Sequence, residues 1–109
     1  MTEHTLQLEC IAIVRNKYER FGTGTIIPII NELAAKRKDV TIKIGASDTI
    51  VLFYGKLLFI EFKVGYNNQS KAQIEFQKLV EKLGFKYYVI RSTNEFKNIL
   101  LKEQPTIWT

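Results

Sequence analysis

Between residues 70 and 83 the apolar positions Ala72, Phe76, Leu79, Val80 and Leu83 recur at three- and four-residue steps, and Gly84 follows them. This spacing predicts an amphipathic helix with a glycine cap. Residues 49–54 and 57–63 are instead β-branched and aromatic runs, and Gly55-Lys56 between them predicts a two-residue hairpin turn. Residues 85–90 read as a further strand, and residues 93–102 as a final helix with Phe96, Ile99 and Leu100 inward. At the N-terminal end, Leu6, Cys10, Ile13, Val14, Lys17 and Phe21 keep helical steps, and Gly22 and Gly24 act as stops. Residues 25–30 form a β-branched run that Pro28 confines to a sheet edge. Residues 31–39 suggest a short helix or loop that presents Lys36-Arg37-Lys38, and residues 41–44 suggest another strand. The expected order is approximately αβββαβα, with the piece between residues 25 and 44 left open in it, an α/β domain with a mixed β-sheet flanked by helices.

The chain has 109 residues, enough for one domain over 1–109 with one core. Its longest apolar stretch is broken by Pro28 and ended by Asn31, far short of the roughly 20 residues that cross a bilayer. The start, Met1-Thr2-Glu3-His4, lacks the basic-then-apolar order of a secretory signal, so a cytoplasmic location and no membrane partner are expected. One cysteine, Cys10, and one histidine, His4, make neither an internal disulfide nor a Cys/His zinc site. A His4 near the terminus is also a poor general base, which leaves chemistry to carboxylates, lysines and amides. The net charge of +5 makes a polyanionic partner, nucleic acid first, a reasonable expectation.

Charge is scarce in the hairpin: Asp48 precedes it, Lys56 is in its turn, and Glu61 and Lys63 are in its second run. With Gly55-Lys56 as the turn, Tyr54 faces Leu57, Ile50 faces Glu61 and Asp48 faces Lys63. Alternation then gathers Asp48, Glu61 and Lys63 on one face and puts Ile60 and Phe62 on the other. A one-residue slip would separate Asp48 from Glu61. Two carboxylates suit a hard cation such as Mg²⁺, which activates water at neutral pH, and Lys63 would offset charge growing on a phosphoryl group. The competing reading is an ordinary salt bridge on a solvated sheet face.

These residues also resemble a known family. Gly45-Ala46-Ser47-Asp48, an apolar hairpin, Ile60-Glu61-Phe62-Lys63, Ser70-Lys71-Ala72-Gln73 opening a helix, then Gly84 and a strand ending Arg91-Ser92, are similar in order to the virus-type replication-repair nuclease domain, VRR-NUC, of the PD-(D/E)XK nucleases. The similarity runs from about Ile30 to Leu101, and Asn31-Glu32 with Lys36-Arg37 is similar to the basic stretch before the family's acidic motif. It implies a restriction-endonuclease-like core and a DNA endonuclease that uses Mg²⁺, with Mn²⁺ as a substitute and no organic cofactor. Asp48 and Glu61 would bind the metal, Lys63 would be the catalytic lysine and Gln73 a further polar site residue. Ser70-x-x-Gln73 is equally a capping box. Glu9 fits the family's acidic residue on the first helix, or is a solvated flank residue. Ser47 departs from the pattern, standing where the family usually has proline.

Lys36, Arg37, Lys71 and Arg91 are the expected phosphate contacts, with a solvated charged face as the other reading. Small stand-alone members of this kind resemble dimeric junction resolvases, which implies branched DNA in replication and repair as substrate and a homodimer as the acting form. Residues 26–30, Ile-Ile-Pro-Ile-Ile, would join the protomers or else fill the monomer's own core, and Trp108 would add an anchor. The rival functions are a catalytically silent nucleic-acid-binding domain on the same scaffold and a nuclease acting on RNA. Cys10 is expected to be a small core residue.

Overall fold

The computed structural model describes residues 1–28 and 49–105. Helix α1 (Glu3–Lys17) starts earlier than the apolar spacing predicts, because the Thr2 hydroxyl accepts the Thr5 amide and caps it. His4 therefore lies in its first turn and is exposed. A 3₁₀ turn, Glu19–Phe21, follows and ends at Gly22 in the left-handed region. The strands are β1 (Gly24–Pro28), β2 (Thr49–Phe53), β3 (Lys56–Phe62) and β4 (Lys86–Ile90), with α2 (Lys71–Lys82) between β3 and β4 and α3 (Thr93–Glu103) last. Among the described residues the order is the expected αβββαβα. The elements expected over 31–44 lie outside the described residues, as does Trp108.

The sheet runs β1-β2-β3-β4, antiparallel up to β3 and parallel between β3 and β4. Helix α2 is the crossover that a parallel neighbour requires. Period-two alternation divides β3 cleanly. Leu58, Ile60 and Phe62 are buried with Leu6, Cys10 and Val14 of α1 and Phe96 and Leu100 of α3. Phe59 turns to the other face, where its ring meets Phe76 of α2, and Phe76 in turn meets Tyr87. The sheet is thus a layer between two helical layers, and β3, its most covered strand, carries the candidate chemistry. Gly24 is required at the edge, since a Cβ there would lie 2.9 Å from the Phe53 ring.

The hairpin turn corrects the expectation. Its central residues are Tyr54 and Gly55, with φ of 50° and 77°, and Lys56 already pairs with Phe53 in the ladder. Two residues at positive φ make the tight turn whose twist suits a hairpin. A tyrosine tolerates that backbone because its ring packs on Phe53, centroids 4.7 Å apart, and its amide donates to the Thr23 carbonyl. Ile50 consequently faces Phe59, not Glu61, and Thr49 faces Ile60. The shift is two residues in register, so Glu61 stays on the face opposite Ile60 and Phe62. No helix among the described residues is long and apolar enough to cross a membrane.

Candidate functional site

Glu61 follows Ile60 on β3, so alternation sends its side chain to the α2 face, and there it is fully buried. A carboxylate can stay in such a place only with donors around it. The Tyr87 hydroxyl donates to Oε1 at 2.5 Å, and the Gln69 amide nitrogen donates to the same oxygen at 3.1 Å. Gln69 also donates to Oε1 of Gln77, 2.9 Å away on α2. The second carboxylate oxygen, Oε2, has no hydrogen bond among the described residues. Lys63 Nζ stands 3.7 Å from it, close enough for attraction between charges but too far for a hydrogen bond. With its side chain only 12% exposed, Lys63 is no solvated surface lysine. The open, polar sheet face expected for this pair is therefore corrected: the pair is enclosed beneath α2, and the reading as a surface salt bridge falls with it.

The other expected site residues are distributed differently. Asp48 lies outside the described residues; its neighbour in the chain, Thr49, pairs with Ile60 and accepts a hydrogen bond from Gln7 of α1 at 2.8 Å. Gln73 forms the capping box: its Oε1 accepts the Ser70 amide at 2.9 Å while its own amide donates to Ser70 Oγ. Glu9 is exposed on α1, which packs on the face of Ile60 and Phe62, while Glu61 is on the α2 face. Among the described residues no three His, Cys, Asp or Glu side chains gather into a metal centre. The Glu9 charge acts on its chain neighbour Cys10, whose thiol pKa is pushed up to about 12, first by burial and then by Glu9. Lys71 is exposed at the start of α2. Arg91 is exposed as well, and its guanidinium donates to the Gly65 carbonyl at 3.3 Å. Asn67, in the same loop, donates to Glu3 of α1 at 2.9 Å, so with Gln69 the segment between Lys63 and α2 is tied at three points. Lys36 and Arg37 lie outside the described residues.

Gln69, Gln77 and Tyr87 are the residues that sequence reading missed. Tyr87 was legible in part: it faces Phe59 across the parallel ladder and so shares a face with Glu61, but only once β4 is known to pair with β3. Gln69 stands immediately before the capping serine and carries no local signal.

One oxygen here suits a hard cation. Glu61 offers one buried oxygen with no hydrogen bond, and a divalent ion is a chemical partner for such an oxygen. An orphaned buried acceptor otherwise costs about 1–3 kcal/mol. Compared with protein-family models, curated proteins and solved structures, the chain matches none.

Proposed function

We propose that this protein is a metal-dependent nuclease that hydrolyses phosphodiester bonds in DNA, with branched DNA as its substrate. The observation that carries the reading is the Glu61–Lys63 pair: a fully buried carboxylate whose Oε2 lacks a hydrogen bond, with a lysine ammonium 3.7 Å from it. Its order of elements and its mixed sheet are compatible with a PD-(D/E)XK core of the VRR-NUC kind. Glu61 would hold Mg²⁺ or Mn²⁺ together with Asp48. When bound, the ion supplies a water acidic enough to attack at neutral pH and charge to neutralise the phosphate. Lys63 would orient that water and stabilise the charge that develops on the phosphoryl oxygens. The +5 net charge would draw the polyanion in, with Lys71 and Arg91 among the residues that meet its phosphates.

A homodimer would bring two such sites to a junction. Its expected contact is only partly free for that purpose: Ile26 is buried in the protomer's own core, while Ile27 and Pro28 on the edge strand β1 are exposed.

Incubation with linear, nicked, flapped and four-way DNA, and with RNA versions of each, in Mg²⁺, Mn²⁺ or EDTA tests the reading. The expected outcome is cleavage of branched DNA that EDTA stops and Glu61→Gln abolishes. Tight binding with no product in either metal would make the protein a silent binding domain, and cleavage confined to RNA would move the substrate class.

A further inference from the structure

We propose that Tyr87 and Gln69 are positioning residues that restrict Glu61 to a single ligating oxygen, and that this restriction sets the site's preference for Mg²⁺ or Mn²⁺ over Ca²⁺. The inference rests on Glu61 being a metal ligand, as proposed above, and goes on to say how it ligates. A carboxylate has two oxygens with about four lone-pair positions between them. Tyr87 and Gln69 both donate to Oε1 and leave Oε2 with no hydrogen bond. The asymmetry is built in. Gln69 cannot usefully turn its amide over, because the same nitrogen donates to Gln77 Oε1, and a flip would set oxygen against oxygen at both ends. Tyr87 is held on β4, buried, with its ring edge-on to Phe76 of α2. Both donors therefore come from regular elements or their immediate flank, and the orientation of the carboxylate is fixed before any ion arrives.

The consequence differs between ions. Ca²⁺ takes six to eight oxygens in flexible geometry and readily uses both oxygens of one carboxylate, whereas Mg²⁺ requires a near-octahedral shell of single oxygens and retains several waters. With Oε1 committed to two donors, the two-oxygen mode is closed to Glu61. An ion that is content with one oxygen loses nothing by this, and one that favours both loses a ligand.

Binding of Mn²⁺ to the full chain without DNA, followed by the loss of the free-ion electron paramagnetic resonance signal and by competition with Ca²⁺, tests the proposal independently of cleavage. Tyr87→Phe and Gln69→Leu are each expected to weaken Mn²⁺ binding by about 10- to 100-fold, the usual cost of removing a partner that orients a ligand. Ca²⁺ binding should weaken less, so that the Mn²⁺/Ca²⁺ preference narrows. Ser70→Ala, which removes only the α2 cap, serves as the structural control and should lower the melting temperature without moving that ratio. Wild-type Mn²⁺ affinity in Glu61→Gln would overturn the metal reading itself. Loss of binding in Glu61→Gln, but an unchanged Mn²⁺/Ca²⁺ ratio in folded Tyr87→Phe and Gln69→Leu, would overturn the positioning role alone.

Discussion

Tyr87 and Tyr88 are neighbours on β4, and alternation sends their hydroxyls to opposite faces of the sheet, where each meets a buried glutamate. On the α2 face the partner is Glu61, with Lys63 beside it; on the other it is Glu103, at the end of α3, with Lys56 beside it. The two trios have the same chemistry and different degrees of cover. Lys56 donates to the Glu103 backbone carbonyl at 2.8 Å and also lies 3.9 Å from its carboxylate, and its side chain is 49% exposed. That trio closes the end of a helix, where a cation is favoured, and its lysine is hydrogen-bonded to a helix-end carbonyl. Around Glu61 two donors crowd onto one oxygen, the other is left bare, and the lysine is held under cover. The difference teaches that a buried Glu-Lys-Tyr group is not in itself a site; what sets the Glu61 group apart is a fully buried oxygen with no hydrogen bond among the described residues, beside a covered lysine.

The largest expected effect is a contrast between the two lysines. Lys63→Ala should lower cleavage by about 10²- to 10³-fold, the scale of one lost electrostatic stabiliser in a closed site. Lys56→Ala should leave cleavage in place and change stability by no more than about 1 kcal/mol, because a half-exposed ion pair is worth little. Cleavage assays beside urea denaturation measure both. An equal loss of cleavage in the two variants would erase the distinction between the trios.

A smaller effect decides which glutamine belongs to the Glu61 side. Ser70→Ala and Gln73→Ala each remove half of the capping box and should each cost on the order of 1 kcal/mol of stability. If Gln73 serves only as a cap, the two variants should also cut DNA alike. A markedly lower rate in Gln73→Ala at matched stability would give back to Gln73 the polar site role that its place in the sequence suggested.

The helices and most strands were legible because each rests on a local period: three- and four-residue steps in α2 and α3, and β-branched runs in β2 and β3. Glu61 and Lys63 were legible for the same reason, since two charges two positions apart share a face of a strand. The turn was misread because tyrosine has a strong strand preference, and only a tertiary contact with Phe53 holds Tyr54 at positive φ. That error also hid Glu103: Lys56, expected in the turn, is in the ladder, and the predicted end of the last helix stopped one residue short of the glutamate. Tyr87 was legible only in part and Gln69 not at all, because the first reaches Glu61 across a parallel pairing of strands and the second across the loop into α2. Burial of Glu61 was likewise out of reach, as it depends on where α2 docks.

The smallest expected effect is a pH dependence that belongs to the Glu103 trio. The Tyr88 pKa is pushed up from 10.0 to about 12, first by burial and then by the charge of Glu103 and its hydrogen bond with that carboxylate. Lys102 Nζ lies 5.9 Å from the centre of the Tyr88 ring, and Lys56 Nζ lies 3.9 Å from the Glu103 carboxylate. A phenol whose folded pKa exceeds its unfolded value binds its proton more tightly in the folded chain. Its contribution to stability is therefore fully present below pH 10 and is lost as pH rises from 10 towards 12. Cys10, pushed up from 9.0 to about 12, acts in the same direction from a slightly lower pH. Removing the Tyr88 hydroxyl should remove its share. Urea midpoints of wild type and Tyr88→Phe, measured from pH 8 to pH 11.5, should accordingly converge as pH rises, with Cys10 and the other groups still lowering both. Parallel curves across that range would mean that the hydroxyl titrates alike in both states, and that the bond to Glu103 does not hold its proton in the folded chain.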